Sequence, residues 1–151
     1  MSIDAADILE ERARALARPP VAAAEPADTV DVLLVTLGTE RYAVGVEHLQ
    51  EVLPAGALTP VPGTPVFVLG VTNVRGRVLA VLDLAPVLGA AAGDDPPAHL
   101  VVVEAGGMTF GIAAGDVEGP VRRERADLAA DLVTELDLDG LVAERRLEVG
   151  R

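Results

Sequence analysis

The sequence predicts an all-β domain assembled from two small, related β units, and three observations carry that expectation. From Val30 onward the chain is a succession of short β-branched runs, each bounded by Gly, Pro or Asp. Two passages, LGTERYAVGV and EAGGMTFGIA, both read as strand, tight turn, strand. An offset of 68 residues lays the first of these hairpins on the second without a gap.

Taken in order, residues 3–18 predict a short amphipathic helix, with Ala5, Ile8, Leu9, Ala13 and Leu16 on one face and a Glu10–Arg14 pair on another. Pro19 and Pro20 end it, and the linker VAAAEPAD follows. VDVLLVTL and RYAVGV form the first expected hairpin, turning at Gly38 to Glu40. VFVLGVT and RVLAVLDL form a second, with Arg75 at its turn, and HLVVVEA and TFGIAA a third, turning at Gly106 and Gly107. The tail predicts one more strand around Leu132 to Leu138 and a helical turn after Asp139. At the 68-residue offset Val32 to Val35 falls on Leu100 to Val103, Gly38 on Gly106, Tyr42 on Phe110, Val44 on Ile112, Leu49 on Val117 and Gln50 on Glu118. Each unit is too short to bury a core alone, so the two are expected to pack on one another. The expected division is residues 1–28 as helical arm and linker and residues 29–151 as one domain of two subdomains, the second shortened.

Composition narrows the function classes. A formal charge of −12 and a pI near 4.4 argue against nucleic acid or an anionic membrane as partner, because both require clustered cations. All twelve basic residues are Arg and there is no Cys, so there is no disulfide framework, no thiol nucleophile and no cysteine metal site. The N-terminal residues lack the basic and apolar regions of a secretory signal. Residues 52–74 carry no charge, but Pro54, Pro60, Pro62 and Pro65 with Gly56, Gly63 and Gly70 preclude a continuous membrane helix. A soluble, cytoplasmic protein is expected.

Catalytic parts are missing too. Ser2 is the only serine, which excludes a Ser/His/Asp triad. His48 and His99 are the only histidines, and Asp94, Asp95 and His99 read as a solvated loop rather than a metal site. Without lysine neither a Walker loop nor a Schiff base can form, and no GxGxxG occurs. Asp83 and Asp116 have no catalytic partner in the pattern. Tyr42, Phe67 and Phe110 stand at apolar strand positions, where core packing is the default. The expectation is a protein without enzymatic activity, cofactor or metal, whose function resides in surfaces.

The passage GVTNVRGRVLAVLDL is the strongest candidate for such a surface. Gly70 permits close backbone approach, Asn73 and Gly76 tolerate left-handed turn geometry, and Arg75 is presented at a hairpin tip. Arginine is enriched among the residues that dominate protein interfaces. Chemistry alone leaves two roles open for Arg75: a partner anchor, or an internal ion pair with Glu51 or Asp83.

The order LVTLGTERYAVGVEHLQEVL, TPVPGTPVFVLGVTNVRGRVLAVLDL and HLVVVEAGGMTFGIAAGDVEGPV resembles the CheW-like domain of bacterial chemosensory adaptors, over roughly residues 30–121. The resemblance implies two SH3-like five-stranded barrels on a shared apolar core, with no catalysis and no cofactor. It implies that the methyl-accepting chemoreceptor cytoplasmic domain and a CheA-type histidine kinase regulatory domain are partners, with other CheW-like domains as further candidates, and recruitment to receptor arrays. Carried over by position, the family's G-V-x-N-x-R-G element falls on Gly70, Val71, Asn73, Arg75 and Gly76, with Arg75 receptor-facing on a hairpin of the first barrel. A V-x-E-V-like element falls on Leu49, Glu51 and Val52. The receptor-binding set implied is therefore Arg75, Asn73, Gly70, Gly76, Leu49 and Glu51.

The chain departs from the family pattern in two places. Gly115 stands where an Asp is usual, with Asp116 one position later, and the stretch between VEGPV and LDLDGL is short by a strand and its loop. A missing strand leaves a barrel edge unpaired or rebuilt. The alternatives are, within what the resemblance implies, a partial adaptor that binds receptors without engaging the kinase, and, outside it, a regulatory β-barrel with a small ligand between its barrels.

Overall fold

A computed structural model describes residues 28–144. The expected N-terminal helix and all of its linker except Asp28 lie outside the described residues. The described chain runs β1 (Thr29–Leu37), β2 (Glu40–Gly45), β3 (Leu49–Pro54), β4 (Val68–Val74), β5 (Arg77–Leu82), α1 (Ala85–Leu88), β6 (His99–Ala105), β7 (Met108–Ala114), β8 (Val117–Glu124), α2 (Arg125–Ala130), β9 (Val133–Glu135) and α3 (Leu138–Ala143). All three expected hairpins form, as do the tail strand and the turn of helix after it. The edge strands β3 and β8 and the short helices α1 and α2 are additions. LQEVLP and VEGPVRRE carry charges and prolines that mask a strand signal, as edge strands tend to do.

Two sheets result, one of four strands ordered β8-β1-β2-β9 and one of five ordered β3-β6-β7-β5-β4. Sequence halves do not map onto them. The strand after the first hairpin, β3, pairs with β6 of the third hairpin, while β8, after the third, returns to β1 of the first. The hairpin that carries Arg75 therefore shares a sheet with β6 and β7, rather than with β1 and β2 as the reading of a first barrel implied.

The internal repeat survives this exchange in detail. Leu49 opposes Val103 as Val117 opposes Val35, each pair antiparallel. Ala43 on β2 lies beside Glu135 of β9, and the equivalent Gly111 on β7 lies beside Val81 of β5, both in parallel. Even one connecting hydrogen bond repeats: Thr36 N donates to Asp116 O at 2.9 Å, and Glu104 N, 68 residues on, donates to His48 O at 2.8 Å. Between β3 and β5 the chain inserts β4, and between β8 and β9 it inserts only α2. The missing strand foreseen from the short tail is thus replaced by a helix, whose Leu128 is buried with Val133, Val32 and Leu34.

Both faces of the two central hairpins are covered, which is why their runs are almost wholly apolar. Along β1, Leu33, Val35 and Leu37 point into a core shared by the sheets, and Val32 and Leu34 point to the opposite side. Along β6, Val101, Val103 and Ala105 enter that shared core, and Leu100 and Val102 fill the interior of the five-stranded sheet with Val74, Leu79 and Val81. Tyr42 and Phe110, matched by the repeat, meet in the shared core. No described helix is long and apolar enough to cross a membrane.

Candidate interaction site

The site begins at the two-residue turn joining β4 to β5. Arg75 and Gly76 have φ of 51° and 81°, the consecutive left-handed geometry of a tight hairpin that follows the strand twist. Nothing lies within 4 Å of a Cβ placed on Gly76, so that glycine is required by its φ and not by space. Asn73 Oδ1 accepts a hydrogen bond from Gly76 N at 2.9 Å and fixes the turn. A bulky residue held left-handed is disfavoured unless its surroundings impose it, so the turn commits Arg75 to the tip.

Glu51 completes the cluster from the opposite edge of the same sheet. Arg75 Nε lies 3.0 Å from Glu51 Oε1 and Arg75 Nη2 lies 3.1 Å from Oε2, a forked pair. Because β3 and β4 are the two edges of the five-stranded order, the pair draws the edges of a curled sheet together. The chain between them reinforces the closure. Thr59 N donates to Val71 O and Val71 N to Thr59 O, both at 2.9 Å, and Thr72 Oγ1 donates to Ala57 O at 3.2 Å.

The Arg75 side chain keeps 78% of its surface exposed despite the pair. The guanidinium hydrogen bond holds the Glu51 carboxyl below the ordinary glutamate range and raises Arg75 further, so both are charged throughout the neutral range. The two roles the residues left open are therefore both available to Arg75: it is ion-paired with Glu51, and it stands in solvent. Asp83, the other candidate partner, instead accepts a hydrogen bond from Ala85 N at 3.1 Å at the start of α1, between the fully buried Leu82 and Leu84.

Of the six residues expected at the site, the structure brings Arg75, Asn73, Gly76 and Glu51 together. Gly70 sits further down β4, where its φ is 154° and a Cβ would fall 2.5 Å from Thr59 O, so it serves the closure. Leu49 packs against the shared core. Sequence reasoning missed Val78, which opposes Asn73 one step from the tip and is 68% exposed. Most of residues 55–66, within the uncharged 52–74 passage, is exposed, including Val66 at 86%. The absence of charge from 52 to 74 was the signal, since an exposed stretch that needs no desolvation of charge suits a contact surface.

His48 Nδ1 and His99 Nδ1 lie 3.0 Å and 2.6 Å from the Glu104 and Gly115 carbonyl oxygens, and His99 begins β6 rather than ending a loop. The cleft where the two sheets meet, lined by Thr36, Asp83, Asp95 and Ala114 among others, has a volume of about 250 Å³. Sites for drug-sized ligands usually start at about 300 Å³.

Comparison with known proteins agrees with this arrangement. The model of the CheW-like domain matches residues 31–144. The chain is 43% identical over 93 residues to protein FrzA of Myxococcus xanthus, covering 61% of this chain and 58% of that protein. It is 29% identical over 92 residues to chemotaxis protein CheW of Thermotoga maritima, covering 61% of each. It thus spans less than two thirds of either relative's length. The crystal structure of the scaffolding protein TtCheW from Thermoanaerobacter tengcongensis superposes with a TM-score of 0.57 at 24% identity, covering 67% of this chain and 68% of that one, a likeness of fold. With a match across nearly all of the described β core, the chain belongs to the CheW-like domain family.

Proposed function

We propose that this protein is a non-enzymatic adaptor in a bacterial chemosensory array, joining the cytoplasmic domain of methyl-accepting chemoreceptors to a CheA-type histidine kinase, with Arg75 on the receptor side. The observation that carries the reading is the family match across residues 31–144, which spans both sheets. The exposed, conformationally fixed Arg75, flanked by Val78 and an uncharged loop, supplies a receptor-facing patch with a charged centre and an apolar surround. Residues 29–151 form the adaptor domain in this reading.

One observation favours a second reading. With α2 standing where the twin unit has a strand, the four-stranded sheet offers a different surface at that end, and an adaptor so altered binds receptors without engaging the kinase. Reconstitution with receptor-containing vesicles and a CheA-type kinase separates the two. Full coupling predicts that the protein both sediments with the vesicles and stimulates autophosphorylation; the partial adaptor predicts sedimentation alone. Failure to sediment with receptors, with the protein folded, contradicts both.

A further inference from the structure

Helix α2 turns Leu128 inward and leaves its other side uncovered. Leu128 is buried with Val32, Leu34 and Val133, whereas Ala126, Ala129 and Ala130 are exposed, and their spacing of three and four puts them on one face of the helix. Leu132, in the turn that leads to β9, is 86% exposed and lines an open groove of about 650 Å³ together with Ala129, Arg41 and Thr134. Interleaved with these apolar residues in sequence are Asp127 and Asp131, both exposed, and no described residue is ion-paired with either carboxylate.

The chain enters the described body at this same place. Arg125 N donates to Asp28 O at 2.9 Å and Arg125 Nη1 lies 2.6 Å from Asp28 Oδ1, while Arg125 Nε reaches Glu135 of β9 at 2.9 Å. Whatever precedes Asp28 is therefore tethered at the start of α2, against β9. Linker residues 19–27 span at most about 30 Å, and α2 with its turn, from Arg125 to Leu132, is about 10 Å long, so the segment ahead of the linker reaches this face with slack. Its chemistry matches. Residues 3–18 carry Ala5, Ile8, Leu9, Ala13 and Leu16 on one expected helix face, and the end nearest the linker carries Arg12, Arg14 and Arg18 opposite in sign to Asp127 and Asp131. A helix so short is marginal in water and gains most of its stability from packing an apolar face.

We propose that the exposed face of α2, from Ala126 to Leu132, is the docking surface for residues 3–18 of the same chain. The arm lays Ile8, Leu9 and Leu16 on the alanines and Leu132, and its basic end meets Asp127 and Asp131. A short tether holds the arm at an effective concentration on the order of 1 mM, so a contact of modest intrinsic affinity fills without a second molecule. The docked arm covers the end of the four-stranded sheet where α2 stands in place of a strand, and a partner for that end competes with it.

The chain has no cysteine, so Glu11→Cys, on the side of the expected helix away from its apolar face, takes a single nitroxide label in the full chain. In NMR spectra of this labelled protein the amides of residues 126–132 are expected to lose most of their intensity, to an extent unchanged by dilution. Adding Ile8→Asp/Leu9→Asp, which lies outside the described body, is expected to restore the intensity. Adding Leu132→Asp, at an exposed position, is expected to do the same, with the remaining body resonances in place. An arm that is only tethered sweeps past α2 whatever its apolar face, so broadening that survives either variant overturns the proposal. Unbroadened amides in the parent labelled chain overturn it too. So does broadening that passes from spin-labelled molecules to separate isotope-labelled ones, which would give the face to a second molecule.

Discussion

Phe110→Ala is expected to lower the unfolding free energy by about 3–5 kcal/mol, the usual range for removing a buried aromatic ring. That is a large part of the 5–15 kcal/mol that holds a typical domain folded. Phe110 is 1% exposed and lies in the core shared by both sheets, against residues from β1, β2, β6 and β7. Because both sheets bury their inner faces in this one core, neither can unfold without exposing the apolar face of the other. Denaturation followed by calorimetry should therefore show one transition, shifted down by roughly 10 °C or more, and not a split. Two transitions of which only one moves would show that the sheets are independent units.

Gly70→Ala is expected to cost about 2–4 kcal/mol, combining backbone strain at a φ reserved for glycine with damage to a pair of hydrogen bonds. The added Cβ would press on Thr59 O, which accepts from Val71 N while Thr59 N donates to Val71 O. Since this contact closes the sheet edge near Glu51, the variant should also loosen the Arg75–Glu51 pair, visible as faster amide exchange along β4 and residues 57–59. A melting midpoint within a degree of the wild type would remove Gly70 from the closure.

Much of the fold was legible because its signals are local or repetitive. The β-branched apolar runs that make VDVLLVTL and HLVVVEA strands, the Gly-bearing turns at 38–40 and 106–107, and the 68-residue repeat can all be read directly from the sequence. Which hairpin receives β3 or β8 is decided by long-range pairing, and no local residue announces it, so the exchange of strands escaped. Likewise the short tail showed that something was missing between VEGPV and LDLDGL. That α2 would fill the place depended on Leu128 finding Val32, Leu34 and Val133 across the sheet. At the site, Asn73, Arg75 and Gly76 were legible as turn chemistry. Choosing Glu51 over Asp83 as the ion-pair partner required knowing that the two sheet edges meet. Leu49 packs on the shared core while Glu51 reaches the tip, because the ladder shifts register between the two and a one-residue change of phase moves a side chain between a core and a surface.

The most direct test of the adaptor reading is isothermal titration of a chemoreceptor cytoplasmic fragment with wild-type protein and with Arg75→Ala. Arg75 is exposed at a turn whose geometry alanine leaves to Asn73 and Gly76, so the variant should keep a native circular dichroism spectrum. The expected result is measurable binding by the wild type and an affinity weaker by at least about tenfold in the variant, as for an arginine that anchors an interface. Equal affinity in the two folded proteins would contradict the assignment of Arg75 to the receptor contact, and no binding by the wild type would contradict the adaptor reading itself.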